Sequence, residues 1–141
     1  MPSLHFSLVV SAGAALLIPA CTPQEMPEVN EGRDLFMAFC ADCHGVTGRG
    51  EGPMGRSMDP VPADLTLLSA RNGGELPESD ILSKIDGYAH GGTTGPSMPQ
   101  FGDFLGGDPL PYDTGDGVLT PTPRKLVALI EYLETIQVAS F

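Results

Sequence analysis

The chain has 141 residues, with 18 acidic against 7 basic side chains and a formal net charge of −11. Carboxylates in that excess repel phosphate, which excludes nucleic acid as a natural partner. They keep a small protein soluble, or suit a protein partner with a basic docking surface. The length fits one domain, small for a core made of protein alone.

Leu4 to Ile18 is largely apolar and ends in Pro19-Ala20-Cys21, the hydrophobic region and small-residue cleavage site of a secretory leader. Residues 1–20 are therefore expected to be a signal peptide. The run is short for a transmembrane helix, although an apolar helix kept as a membrane anchor is the alternative. The positive flank is missing, since His5 is the only basic group before Arg33. Ile18-Pro19-Ala20-Cys21 resembles a bacterial lipoprotein box with an unusual Pro19, which makes Cys21 a lipidation candidate. The alternative is a leftover unpaired thiol. Residues 21–29, with Pro23 and Pro27, read as an extended tether.

Asn30 can cap a helix and Glu31 suits its first turn. Gly32, Leu35, Phe36, Phe39 and Cys40 then recur at three- and four-residue steps, an amphipathic helix running into Cys40-Ala41-Asp42-Cys43-His44. Gly45 follows, where a helix can end in a left-handed residue. Gly45, Gly48, Gly50, Gly52, Pro53, Gly55, Pro60 and Pro62 make residues 45–64 a loop of tight turns. Asp64 to Leu68 suits a short helical turn. Pro77 opens a helix from Glu78 to about Asp86, with Ile81, Leu82 and Ile85 inward. Gly87 to Gly117 is expected to be loop and holds Met98. Thr122 is the expected N-cap and Pro123 a first-turn residue of the last helix, whose face is Leu126, Leu129, Ile130, Leu133 and Ile136 and which reaches about Gln137. Arg124 and Lys125 at its start and Glu134 near its end oppose the helix dipole, at a cost of a few tenths of a kcal/mol. No strand pattern and no internal repeat stand out.

Cys40, Cys43 and His44 carry the chemistry. Two thiols three residues apart on one helical turn reach the same side and can bond to the two vinyl groups of one porphyrin, and the next residue places an imidazole under the ring for the iron. A thioredoxin-like pair would need a βαβ context. A zinc site would need further ligands, but no cysteine follows Cys43 and the only later histidine is His90.

From helix to motif, glycine-rich loop, short helices, Met-bearing loop and last helix, residues 30–137 resemble a class I c-type cytochrome of the bacterial monohaem kind. The resemblance implies an all-α fold, a few helices and long Gly/Pro-rich loops around one covalent haem c, over a domain of residues 30–141. It also implies a distal methionine in a loop, often in Met-Pro. Gly95-Pro96-Ser97-Met98-Pro99 fits, with Met98 lying 54 residues after His44. Met37 lies on the wrong side in the first helix, Met54 and Met58 lie too near His44, and His90 is a rival sixth ligand or an exposed loop residue. The family's acceptor for the other imidazole N–H is a proline carbonyl soon after the motif, which points to Pro53, with Pro60 and Pro62 as competitors. Gly32 and Phe36 match its contact between first and last helices, with Tyr132 opposite. The stretch from Pro62 to Thr66 is also similar, without an assignable role.

Iron held by His44 and Met98 has no vacant position, so the expected function is one-electron transfer rather than catalysis. Haem attachment outside the cytoplasmic membrane places the protein in the periplasm, with possible attachment through a lipid on Cys21. The alternatives are a haem subunit of a larger dehydrogenase or oxidase, and an open-site sensor or enzyme if Met98 does not ligate.

Overall fold

Val29 to Phe39 form helix α1 and Ala41 to His44 the short α2. The computed structural model describes residues 25–87 and 98–138; the expected leader, Cys21, His90 and Gly95 to Ser97 lie outside the described residues. Leu68–Arg71 (α3), Glu78–Asp86 (α4), Gly102–Leu105 (α5) and Arg124–Thr135 (α6) follow, with strands Pro109–Tyr112 (β1) and Thr120–Pro123 (β2) before α6. The fold is mostly helical, as expected of a small cytochrome-like domain.

The core is built around α6. Leu126, Val127, Ala128, Leu129, Ile130, Tyr132 and Leu133 are all buried, so this helix is covered on nearly every side. Against it lies α1, whose buried residues are Gly32 and Phe36. The two helices run in the same sense, Glu31 beside Arg124 at one end and Phe36 against Tyr132 further along. A Cβ on Gly32 would overlap the backbone carbonyl of Ala128 and sit 2.9 Å from Cβ of Tyr132. Only hydrogen fits there, and that permits the close approach. The Phe36 and Tyr132 rings then meet at 5.2 Å in a tilted arrangement.

Several boundaries differ from the sequence expectation. Helix α1 opens at Val29 with Glu28 at its N-cap, so Asn30 lies inside the first turn and caps nothing. The strap before it is not a free tether from Glu25 onward: Pro27 is buried, and Arg124 donates to the Glu25 carbonyl at 2.6 Å. A guanidinium bound there also pairs with Glu31 at 3.4 Å, and this gives Arg124 a use at a helix N-terminus where its charge is otherwise unfavourable. Lys125 is likewise engaged, donating to the Phe104 carbonyl.

The hairpin is the larger correction. Pro109 pairs with Pro123, Leu110 with Thr122, Pro111 with Pro121 and Tyr112 with Thr120. Proline has no N–H, so it fits an antiparallel ribbon only at pairs that exchange no hydrogen bonds. The register satisfies this, since the bond from Arg124 N–H to the Asp108 carbonyl puts the exchanging pairs at even-numbered residues. Thr122 is therefore a buried strand residue, its hydroxyl bonded to the Thr120 carbonyl, and Pro123 takes the N-cap position.

The 54-residue interval between His44 and Met98 is bridged by segments tied to the core. Asp64 caps the 3₁₀ turn Leu65–Leu67, accepting from the backbone N–H and hydroxyl of Thr66 at 2.9 and 2.7 Å. Gln137 then donates to the Leu65 carbonyl and accepts from Ser69 N–H, fastening the end of α6 to this segment. Helix α4 ends at Gly87 in the left-handed region and is followed by α5, Phe101 N–H donating to Ile85 O.

Gly32→Ala is expected to push α1 off α6 and lower the unfolding free energy by about 1–3 kcal/mol, the cost of overpacking a tight interface. Denaturant titration of the haem-loaded protein checks this, with Val46→Ala, at an exposed position, as the neutral control.

Candidate functional site

The motif sits at the end of α1. The backbone breaks at Cys40 (φ −116°, ψ −32°) and resumes as α2. The break does not open the turn, because the Cys40 carbonyl accepts from both Cys43 N–H (3.2 Å) and His44 N–H (2.8 Å). Both sulfurs therefore stay within one turn of each other, and both thiols are free and half-buried.

Residues 45–63 wrap beneath α2. Gly50 N–H donates to the His44 carbonyl, Gly52 N–H to Cys43 O and Met54 N–H to Asp42 O, so the loop satisfies the carbonyls that end a helix without intrahelical partners. Side chains are excluded by the closeness of this wrap. A Cβ on Gly52 would meet the Asp42 carbonyl, and one on Gly55 the Cys43 carbonyl.

This geometry corrects one expected residue. The Nδ1–H of His44 donates to the carbonyl of Ala63 at 3.0 Å, and not to that of Pro53, Pro60 or Pro62. Pro53 lies between Gly52 and Met54, whose backbone is spent on α2, and its ring is exposed. The carbonyl that reaches the imidazole comes from the returning limb of the loop, one residue after Pro62. Proximity to Gly in sequence pointed to the wrong limb. The similarity noted over Pro62 to Thr66 was the available signal, and the segment's role is now visible: Asp64 fixes the turn that presents Ala63.

His44 lines a cleft with Phe36, Cys40, Leu65, Leu68, Ile81, Lys84, Ile85, Met98, Leu129 and Leu133. The lining comes from α1, α2, the 3₁₀ turn, α3, α4, α6 and the segment after residue 97. Met98 packs against the core beside these residues. Met37 is 40 % exposed and Met54 59 % exposed, and neither lines the cleft. The Cys40 thiol is pushed up to about 11 by burial and then by Cys43, so it stays protonated at neutral pH. Burial lowers the pKa of His44, against the smaller opposing effect of the bond to Ala63. The neutral imidazole is favoured, with Nδ1 carrying the proton and Nε2 left with its lone pair for a metal.

A macrocycle that is apolar over its faces fits this lining, and the motif offers two thiols that could bond to its vinyl groups and an imidazole that could bind its iron. A larger depression of about 870 Å³, on the other side of α4, is lined by Glu75, Glu78, Asp80, Glu134 and neutral polar groups and holds no sulfur or imidazole. Zinc has no ligand set here, since no three His, Cys, Asp or Glu side chains converge for a metal among the described residues.

The cytochrome c family model matches residues 29–137. The chain belongs to the cytochrome c family. It is thus a haem-binding electron-transfer protein whose cofactor is covalent haem c. No match is found among curated proteins or among solved structures.

Haem is expected to remain with the polypeptide through acid–acetone extraction and denaturing electrophoresis, with a mass increase of one haem. A Cys40→Ala, Cys43→Ala double change should leave the haem extractable and the chain poorly folded, because the cleft walls then lose their filling.

Proposed function

We propose that this cytochrome is an exported, monohaem one-electron carrier, with Cys40 and Cys43 as thioether sites and His44 and Met98 as the axial ligands. One observation carries the reading: Met98 lines the same cleft as Cys40 and His44, while Met37 and Met54 face solvent. Bound haem would supply the Fe(II)/Fe(III) couple. The protein's part is positioning and exclusion of water. Ala63 holds the His44 ring in one tautomer and raises its basicity as a ligand. Phe36, Ile81, Ile85, Leu129 and Leu133 give the cleft its dry walls. With both axial positions occupied by side chains, no position remains for a substrate, which favours carrier over enzyme.

Export agrees with the apolar leader and with covalent haem attachment outside the cytoplasmic membrane. Cys21, in its lipoprotein-like box, would then attach the domain to the membrane; among the described residues no helix is long and apolar enough to cross one. A net charge of −11 suits a redox partner with a basic docking surface and an association rate that falls with salt. If Cys21 carries lipid, the protein should sediment with membranes and Cys21→Ser should release it or block its processing. A soluble wild-type protein with an unmodified thiol at its mature N-terminus rules the anchor out.

Met98→Ala should abolish the weak long-wavelength absorption of a methionine–iron bond in the ferric protein. It should lower the midpoint potential, since a thioether favours the softer ferrous state. Reduced Met98→Ala should also bind carbon monoxide, whereas Met54→Ala and Met58→Ala should behave as wild type. Ready binding of carbon monoxide by the wild type would instead establish an open-site haem protein.

A further inference from the structure

Lys84 is the one lysine or arginine lining the cleft, and it does so with its methylene stem, since no polar surface lines it. Its ammonium has no hydrogen bond or ion pair with any described residue, the one ion pair among them being Arg124 with Glu31. Its acidic neighbours on α4 face elsewhere. Asp80, one turn earlier and well spaced for an i,i+4 pair, lines the polar depression instead. Asp86 is turned toward Gly102, its Oδ1 2.7 Å from where a Cβ would stand there.

In a chain with 18 carboxylates, a half-buried lysine whose methylene stem lines an apolar cleft, and which pairs with no acid of its own helix, keeps its charge available to an anion carried by the cleft's ligand. A ligand that sets an anion beside that ammonium gains a charge-assisted hydrogen bond. Haem c is apolar over most of its surface and carries two propionate carboxylates. Its chemistry therefore matches an apolar lining with one lysine whose ammonium lies outside it.

We propose that Lys84 is the counter-cation of a haem propionate, a positioning residue that fixes how the macrocycle's carboxylate edge lies in the cleft. The proposal rests on haem binding alone and holds whichever residue is the sixth ligand. A cation at this place also disfavours the more positive ferric state, so it raises the midpoint potential.

The test uses the haem-loaded protein at fixed pH and ionic strength, with redox titration and redox-difference infrared spectroscopy of the haem carboxylates. Lys84→Gln should lower the midpoint potential and shift the carboxylate band toward that of an unpaired propionate. Lys84→Arg should restore the potential and show the band of a guanidinium-paired carboxylate. If Lys84→Gln fails to retain haem, the Lys84→Arg band shift decides alone. An unchanged carboxylate band in these variants overturns the proposal, whatever the potential does. So does a changed axial-ligand spectrum in Lys84→Gln, which would place the amine on the iron.

Discussion

Placement of the haem motif depends on the contact of α1 with α6 at Gly32. Cys40 is eight residues beyond that glycine, at the C-cap of the same helix, and Leu129 and Leu133 of the cleft follow Ala128, whose carbonyl Gly32 meets, along α6. Adding a side chain at residue 32 would separate the two walls, because the obstruction is backbone and cannot rotate aside. Phe36 shows the linkage from the other direction. It packs on Tyr132 and also lines the cleft, so one ring both locks the helix pair and forms part of the cofactor wall. Stability of the helix pair and geometry of the site are thus one constraint.

Positioning of His44 draws on a different resource, the backbone of the loop. Three amide groups from Gly50, Gly52 and Met54 are spent on the carbonyls of α2. The return limb comes so near that a Cβ on Gly50 would strike the Pro62 carbonyl. That nearness brings Ala63 to the imidazole. The acceptor is a main-chain atom, so its orientation depends on the turn and not on the identity of residue 63. Asp64 supplies the turn, and its pKa is lowered chiefly by the Thr66 hydroxyl that donates to it.

What was legible in the sequence follows from how each feature is encoded. Helices α1, α4 and α6 have apolar periodicity long enough to read, and it picks out Gly32, Phe36, Ile81, Ile85, Leu126, Leu129, Ile130 and Leu133 as inward; Phe39 shares the spacing but is exposed, and Val127 and Ala128 are buried outside the stripe. The hairpin was not read because Pro109, Pro111, Pro121 and Pro123 look like loop punctuation. In a two-stranded ribbon they occupy the positions that need no N–H, and the inward residues Leu110, Tyr112 and Thr122 supply the alternation. The Asp113-Thr114-Gly115-Asp116-Gly117 turn between them was the signal available. Of the site, the motif and the distal methionine loop were visible as local strings. The partner of the imidazole was not, because choosing between Pro53 and Ala63 requires knowing which limb of a folded loop lies under the ring.

Basic residues are scarce enough that the location of each carries meaning. Arg124 and Lys125 oppose the dipole of α6, a placement that helix propensity alone disfavours. In the fold they grip three carbonyl or carboxylate oxygens, of Glu25, Glu31 and Phe104, and so bind the N-terminal strap and α5 to the start of the central helix. Arg56 and Arg71 serve similarly, donating to the carbonyls of Glu51 and Asp64 in the loop segments around the motif. Four of the seven cations therefore act as staples for irregular backbone, where a domain with this little regular structure has most need of them. Lys84, like Arg33 and Arg49, has no such bond among the described residues, and of these three only Lys84 lines the cleft. A positive charge left over from the structural work, in a protein otherwise so acidic, is consistent with a role toward the cofactor rather than toward the fold.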